Sequence, residues 1–205
     1  MSDPLSKLFG SPTRVKLMRL FLLNRDIVFT RDEIKRRSRV TSLAAGKELA
    51  MMKAIGFVRP ATATVLGARG ARKVSGFRLN TDFKLNEALG RLLFDTDLFS
   101  AEELVKRFQP IGKVKLIIVA GIFLREEDNR VDLLLVVDNP KKGVIERVLR
   151  QLEAEIGREL NYTVFSSADF QYRVSMYDKF VRDVLDYPHQ TVFDKIGLGP
   201  DSFNK

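Results

Sequence analysis

The first 80 residues contain an ordered succession of patterns that restricts the possible folds. Apolar residues recur at helical spacing over Pro12–Leu23, and a short basic helical segment follows over Arg31–Arg37. A third helical segment starts at Thr41 or Ser42 and extends to about Ala54, where Gly56 ends it. Two strand-like segments come next, FVRPATATV and KVSGFRLN, separated by the glycine-containing turn LGARGAR. We therefore predict three helices followed by a β-hairpin.

Residues suited to helix capping stand at the start of these segments. Ser11 precedes Pro12, and proline is well tolerated in a first helical turn. Thr30 is followed three residues later by Glu33, which is the spacing of a capping box. These local signals predict that the first two helices begin at residues 12 and 31.

The succession resembles the winged helix-turn-helix of MarR- and ArsR-type regulators. The stretch LFGSPTRVKLMRLFLLN is similar to their first helix. In LAMMKAIGFVR, the residues that match the family's Leu-x-x-Leu-x-x-x-Gly-Leu-Val ending of the recognition helix are Leu49, Met52, Ile55, Gly56 and Val58. The resemblance covers roughly residues 7–80. It implies that the third helix enters the major groove of double-stranded DNA, that the hairpin is the wing, and that the protein acts as a homodimer.

Positive charge is concentrated in the same region. Residues 1–80 hold 17 lysines and arginines and five acidic residues, a net charge of +12, whereas residues 81–205 hold 18 and 21, a net charge of −3. A basic half of this kind favours binding to a polyanion. The predicted DNA contacts lie in the turn before the third helix, on that helix and on the wing: Arg36, Arg37, Arg39, Thr41, Ser42, Lys47, Arg69, Arg72 and Lys73. The third helix offers few hydrogen-bonding groups, so we expect mainly phosphate contacts with modest sequence selectivity.

Residues 81–110 are predicted to be a helical connector between a winged-helix domain (1–80) and a second domain (111–205). Apolar residues in this connector recur at helical spacing: Leu85, Leu89, Leu92 and Leu93. They predict a helix that packs either as a linker within the chain or against a second subunit.

The second domain reads as a small α/β unit, so the fold class predicted for the whole chain is α+β. The apolar runs VKLIIVAGIFL and VDLLLVVD predict strands buried on both faces. An amphipathic helix follows in KKGVIERVLRQLEAEIG. A strand (LNYTVFS), one final helix (SADFQYRVSMYDKFVRDVLD) and a short closing strand (QTVFD) complete a small mixed sheet.

The segment GIFLREEDNRVDLLLVVD resembles the signature of the minimal nucleotidyltransferases, and the match covers about residues 113–194. That family has a Gly-Ser turn followed by a strand bearing Asp-x-Asp, whose two carboxylates hold divalent cations. Gly121 and Asp132 match, but Ile122 replaces the serine and Leu134 the second aspartate. The third acid also has no counterpart, because Tyr162 or Val164 stands at its position. We therefore predict no catalytic residue and no metal site.

Gly121 and Asp132 could still form a vestigial nucleotide site. The alternative for Asp132 is a structural role, in which it caps its turn by accepting hydrogen bonds from amides after Glu126. The sequence contains no cysteine and one histidine, His189, which argues against a thiolate site or a Ser-His-Asp triad.

Three functions remain open from the sequence. The first is a DNA-binding transcriptional regulator whose second domain serves dimerisation or senses a nucleotide or other small molecule, without a cofactor. The second is a divergent nucleotidyltransferase, which would require Mg²⁺ and use the winged helix to find its substrate. The third is a winged helix that binds protein or RNA. The N-terminus lacks a signal-peptide pattern and the apolar run LIIVAGIFL is too short to span a bilayer, so we expect a cytoplasmic protein without a membrane partner.

Overall fold

The computed structural model describes residues 4–67, 70–94, 99–126 and 129–198 of the chain. Within these residues the protein is α+β, with a two-stranded antiparallel sheet and a four-stranded mixed sheet. The chain divides into an N-terminal unit, Met1–Thr96 with Arg150–Glu159, and a C-terminal unit, Asp97–Leu149 with Leu160–Lys205.

The N-terminal unit follows the predicted succession of helices and hairpin. Its elements are α1 (Pro4–Leu8), α2 (Pro12–Leu23), α3 (Arg31–Ser38), α4 (Ser42–Ala54), β1 (Val58–Gly67), β2 (Gly70–Leu79) and α5 (Asn86–Phe94). The short helix α1 was not predicted as a separate element. It is separated from α2 because Gly10 takes a φ of 71°, a conformation that glycine adopts without strain.

The predicted caps of these helices are confirmed. The Ser11 hydroxyl accepts a hydrogen bond from the Arg14 amide at 3.2 Å. Thr30 and Glu33 form a reciprocal capping box. Thr41, rather than Ser42, caps α4 by accepting from the Ala44 amide at 3.2 Å. Each cap joins residues three positions apart, so its geometry depends only on the local sequence.

The core of this unit lies where α2, α4 and the hairpin meet. Phe21, Phe29 and Phe57 are fully buried, and the Phe21 ring makes edge-on contacts with both of the others. Each of these phenylalanines comes from a different segment of the chain. The aromatic cluster therefore holds α2, the loop before α3 and the start of β1 together.

A short backbone pairing joins the hairpin to the loop before α3. The amide of Phe29 donates to the Phe77 carbonyl at 2.9 Å, and the Phe77 amide donates to the Phe29 carbonyl at 2.8 Å. Gly76 makes this approach possible, because a Cβ at that position would lie only 2.8 Å from the Phe29 carbonyl carbon. The hairpin is thus fixed against the helices by a third, one-residue strand.

Residues 150–159 also pack within the N-terminal unit. Arg19, which is buried, donates to the carbonyl of Glu155 at 3.2 Å. The side-chain amide of Asn24 donates to the Gly157 carbonyl at 2.8 Å. A Cβ on Gly157 would lie 2.6 Å from the Leu20 nitrogen, so glycine is required for this segment to reach α2.

The C-terminal unit contains a four-stranded sheet with strand order β5-β4-β3-β6. Its elements, with α7 continuing into residues of the N-terminal unit, are α6 (Ala101–Phe108), β3 (Lys113–Ala120), β4 (Leu133–Asp138), α7 (Lys142–Ile156), β5 (Tyr162–Phe165), α8 (Ser167–Ser175), α9 (Lys179–Asp186) and β6 (His189–Asp194). Among the described strands of this sheet, β4 and β5 are the parallel pair and the other pairs are antiparallel, which confirms a mixed sheet. The predicted burial of β4 on both faces is also confirmed.

Three predictions about this half of the chain need correction. The first strand ends at Ala120, because Gly121 begins a single 3₁₀ turn, Gly121–Phe123. The final helix is two helices, since Tyr177 has a φ of 52° and Asp178 caps α9. The predicted connector contains two helices, α5 and α6. On α5, Asn86 and Leu93 are buried, whereas Leu92 on this helix and Leu85 just before it are 42% and 55% exposed.

Among the described residues, none of the helices combines the length and the apolar character needed to cross a membrane.

Candidate nucleic-acid interface

The last turn of α3 and the residue that follows the helix each present an arginine to solvent. Arg36 and Arg39 are both exposed. Arg39 ends α3 in the left-handed conformation, with φ 51° and ψ 48°, which is costly for a residue that has a Cβ. Arg37 behaves differently, because its guanidinium pairs with Glu159 at 2.8 Å and stacks 5.3 Å from the centre of the Phe29 ring. Arg37 therefore contributes to the packing of the unit, whereas Arg36 and Arg39 remain available to bind DNA.

The first turn of α4, which follows these arginines in the sequence, is exposed to solvent. Thr41 and Ser42 are exposed, although the Thr41 hydroxyl already accepts the capping hydrogen bond. Lys47 is exposed one turn further along the helix. The structure adds a residue that sequence reasoning missed, Leu43, which is 87% exposed. A helical wheel could have found it, because Leu43 lies outside the face formed by Ala45, Leu49 and Met52, which are buried.

The hairpin carries the remaining predicted contacts. Arg72 and Lys73 are exposed on β2, where they pair in register with Val65 and Thr64 of β1. Since neighbouring residues of a strand point to opposite faces, Arg72 and Lys73 place positive charge on both faces of the hairpin. Arg69 lies outside the described residues.

Five of these cations have no carboxylate oxygen within 4 Å among the described residues. They are Arg36, Arg39, Lys47, Arg72 and Lys73. A side chain without an ion pair does not have to break one when it binds a phosphate. The structure therefore leaves an unpaired positive surface on three successive parts of one unit: the C-terminal end of α3 with Arg39, the exposed side of α4, and β2.

The two acidic side chains closest to this surface in sequence are instead held within the fold. Burial alone would raise the pKa of Glu48, but hydrogen bonds from Arg14 and Ser11, with the charge of Arg14, lower it below the ordinary value of 4.5. The Arg14 Nε lies 2.8 Å from the Glu48 carboxylate, which is buried. Burial would likewise raise the pKa of Glu33, but its hydrogen bonds with Thr30 and the charges of Arg36 and Arg37 lower it. Both acids therefore stay ionised, and their negative charge is compensated by partners inside the unit.

The second candidate site surrounds Asp132 in the C-terminal unit. Asp132 is 6% exposed. One carboxylate oxygen accepts from the Ile122 amide at 2.9 Å, and the other accepts from the Asn161 amide at 2.8 Å. We predicted amide donors in the turn after Glu126, part of which lies outside the described residues. The donors that the structure shows come from the 3₁₀ turn after β3 and from the residue before β5.

Gly121 is needed for this arrangement. Its φ is 52°, and a Cβ there would overlap the Asp132 carboxylate oxygen. Gly121 therefore lies directly against the carboxylate of Asp132. The Asp132 carboxylate thereby links the turn after β3 to the residue before β5.

Asp138, at the other end of β4, also has local partners. Its carboxylate accepts hydrogen bonds from the Ser167 amide at 3.0 Å and the Ser167 hydroxyl at 2.9 Å. These bonds, together with the charges of Lys115 and Lys113, lower the pKa of Asp138. Among the described residues, no three histidine, cysteine, aspartate or glutamate side chains are grouped in a way that could hold a metal ion.

Comparison with known proteins gave no match. No protein-family profile matches the sequence. No curated protein sequence matches it, and no solved structure matches the fold. The functional interpretation consequently depends on the residues and geometry described above.

Proposed function

We propose that this chain is a DNA-binding transcriptional regulator and that its N-terminal unit is a winged helix-turn-helix. The order of α2, α3 and α4 followed by the β1–β2 hairpin supports this topology. The pairing of Phe29 with Phe77 adds support, because it gives the hairpin a third, short strand between α2 and α3. In a winged helix of the MarR or ArsR type, α4 would be the recognition helix and the hairpin the wing.

The observation that carries the proposal is the unpaired positive surface formed by Arg36, Arg39, Lys47, Arg72 and Lys73. Double-stranded DNA presents a dense row of phosphates, and each lysine or arginine that neutralises one releases a counterion. In the proposed complex, Arg36 and Arg39 contact the backbone on one side of the major groove. Arg72 and Lys73 contact it through the wing.

Base readout in this complex falls to the exposed side of α4. Lys47 can donate to the acceptor edge of guanine, and the Leu43 side chain can contact a thymine methyl group. Ser42 can donate to or accept from either type of base. This is a small set of specific contacts, so we expect affinity to come mainly from the backbone and selectivity to be modest.

The first experiment measures binding of the full chain to duplex DNA by fluorescence anisotropy over a range of KCl concentrations. Lys73→Glu should weaken binding about tenfold or more and make the salt dependence shallower by at least about one counterion. Lys179→Glu is the matched control, because it changes the charge equally at an exposed position at the start of α9 in the C-terminal unit. Equal effects of the two substitutions would show that binding follows net charge alone, and the proposed interface would be wrong.

A second experiment tests regulation. Genomic DNA fragments are selected for binding at physiological salt in the presence of excess random competitor DNA. The proposal predicts enrichment of fragments that share a sequence element and lie upstream of genes. If selected fragments bind no better than the competitor, sequence-specific regulation is excluded and only general DNA binding remains.

For the C-terminal unit we propose a nucleotidyltransferase-like fold that serves dimerisation or ligand sensing. The support is the Gly121 turn that precedes the β4 strand and the mixed sheet around Asp132. No observation favours catalysis specifically, since both oxygens of Asp132 accept hydrogen bonds from backbone amides. Incubation with Mg²⁺ and labelled nucleoside triphosphates tests the divergent transferase directly, and transfer of label that is lost in Asp132→Asn would revive it.

A further inference from the structure

A groove in the N-terminal unit lies between α3 and residues 150–159. It encloses a volume of about 830 Å³. Every residue that lines it belongs to the N-terminal unit. The described residues that line it are six cations, three acids and one glycine: Asp32, Lys35, Arg36, Arg37, Arg39, Arg150, Glu153, Gly157, Arg158 and Glu159.

The acids of the groove do not neutralise all of its cations. Asp32 pairs with Lys35 at 3.7 Å, and Glu159 pairs with Arg37 at 2.8 Å. Arg150 and Glu153 are engaged in other interactions. Three guanidinium groups, those of Arg36, Arg39 and Arg158, then remain without a carboxylate oxygen within 4 Å among the described residues.

The walls of the groove are held by contacts that do not involve these three arginines. Asn24 donates to the Gly157 carbonyl, and Gly157 packs directly against the backbone of α2. On the opposite wall, Arg37 is fixed between Glu159 and the ring of Phe29. The groove is therefore formed before any ligand binds, which reduces the entropy lost on binding.

We propose that this groove binds a small molecule that carries two or more phosphate groups. Arginine presents a planar fork of donors that matches phosphate oxygens, and three such forks along one groove suit a chain of phosphates. The volume lies within the range of small-molecule sites. A DNA duplex is too wide to enter a cavity of this size and could contact only its edge. The paired acids Asp32 and Glu159 also provide hydrogen-bond acceptors in the groove. A nucleoside has donor groups that could use these acceptors, whereas a free phosphate chain does not.

The regulatory consequence of this inference, competition between the ligand and DNA, rests on the proposed function. Arg36 and Arg39 belong both to the groove and to the surface proposed to contact DNA. One guanidinium cannot make the same hydrogen bonds to a ligand and to the DNA backbone at once. The ligand should therefore weaken DNA binding, and by thermodynamic reciprocity DNA should weaken ligand binding by the same factor.

Direct binding to the full chain, without DNA, is measured by titration calorimetry. The probes are tripolyphosphate, ATP, AMP and adenosine. Tripolyphosphate and ATP should bind, AMP should bind at least tenfold more weakly, and adenosine should not bind at up to about 1 mM. Tighter binding of ATP than of tripolyphosphate identifies a nucleotide as the ligand class, and equal binding identifies the phosphate chain. Absence of binding by both would overturn the proposal.

Two substitutions separate the groove from the DNA surface. Arg158→Gln should weaken tripolyphosphate binding about tenfold, or about 1.4 kcal/mol, while DNA affinity stays within twofold. Arg72→Gln, outside the groove, should leave tripolyphosphate binding unchanged and weaken DNA binding. Both positions are exposed, so the melting temperature should not change. Tripolyphosphate binding that is insensitive to Arg158→Gln would place the ligand elsewhere and refute the site.

Competition is measured by anisotropy with DNA and tripolyphosphate, with KCl added to the control samples to match ionic strength. DNA affinity should fall at least about fivefold beyond the effect of KCl, and this loss should shrink in Arg158→Gln. Ligand binding without this loss refutes the regulatory link alone. Failure of DNA binding in every condition refutes the proposed function but leaves the groove's ligand to the calorimetric result.

Discussion

The turn and hairpin of the N-terminal unit and the Asp132 region of the C-terminal unit both contain charged residues that the sequence marks as functional candidates. In the first region, Arg36, Arg39 and Arg72 are exposed and have no carboxylate oxygen within 4 Å among the described residues. In the second, both oxygens of Asp132 are occupied by backbone amides. A charged group that the fold does not use can act on a ligand, whereas one that is hydrogen-bonded inside the fold acts first on stability.

The contrast also extends within the first region. Arg37 lies between Arg36 and Arg39 in the chain's basic segment, yet it is paired with Glu159 and stacked on Phe29. Glu48 on α4 is similarly held by Arg14. The proposed interface is therefore a surface of unpaired cations supported by a layer of paired ones, and the following substitutions test this division.

Asp132→Ala should have the largest effect on the free energy of unfolding. Removing the carboxylate leaves the Ile122 and Asn161 amides without their acceptor, which should lower the free energy of unfolding by about 3 kcal/mol. DNA affinity of the folded protein should stay within twofold. Urea denaturation measures the first quantity and anisotropy the second. Asp186→Ala, which removes an exposed acid, is the control and should change stability by less than about 0.5 kcal/mol. An Asp132→Ala protein as stable as the wild type would show that this carboxylate is not structural.

Glu48→Gln should have the next largest effect. The substitution weakens the ion pair between the buried Glu48 carboxylate and the partly exposed Arg14, and should lower the free energy of unfolding by about 1–2 kcal/mol at pH 7. Because the pKa of Glu48 is lower in the folded state than its ordinary 4.5, its contribution is present above that value and is lost as pH falls through the folded pKa.

The pH dependence supplies the check on Glu48. Stability of the wild type should decrease on acidification below about pH 4.5 more steeply than that of Glu48→Gln. Glu87→Gln is the matched control, since the ion pair of Glu87 with Arg91 at 3.6 Å is solvent-exposed. Equal acid sensitivity in wild type and Glu48→Gln would contradict the assignment of Glu48 to the supporting layer.

Arg39→Gly and Arg36→Gly form a matched pair with opposite effects on stability. Both remove one unpaired guanidinium, so both should weaken DNA binding and reduce the salt dependence by about one counterion. Arg39 has a positive φ, which glycine adopts freely, so Arg39→Gly should raise stability by about 0.5 kcal/mol. Arg36 is inside α3, and Arg36→Gly should lower stability by about 1 kcal/mol. If DNA affinity rose in Arg39→Gly and fell in Arg36→Gly, in parallel with stability, the result would argue against direct contact of these arginines with DNA.

Leu43→Ala should have the smallest effect on stability, less than about 0.5 kcal/mol, because the side chain is 87% exposed. In the proposed complex it contacts bases, so selectivity between sites that differ in thymine content should decrease while affinity for random DNA is unchanged. Leu8→Ala is the control, since Leu8 is 69% exposed on α1. Competition binding with paired duplexes measures the change, and identical selectivity in wild type and Leu43→Ala would remove this residue from the interface.

Most secondary structure of the N-terminal unit could be predicted because its signals are local. The caps Ser11, Thr30 and Thr41 bind amides three residues away, and they set where α2, α3 and α4 begin. The hairpin strands were predicted from their residue types and the turn between them. The break between α8 and α9 was missed, because the apolar spacing continues across Tyr177 and Asp178 although the backbone does not.

Residue type and spacing along the chain were enough to place most of the helices and strands and to locate the half of the chain that carries the positive charge. The pairings between charged groups and partners far away in the chain depend instead on the tertiary structure. Arg37 meets Glu159 across 122 positions, and Asp132 meets amides 10 residues before it and 29 after it. Such pairings arise from how distant segments pack, and local patterns contain no information about them. The groove beside α3 exists for the same reason, since residues 150–159 return to pack within the N-terminal unit.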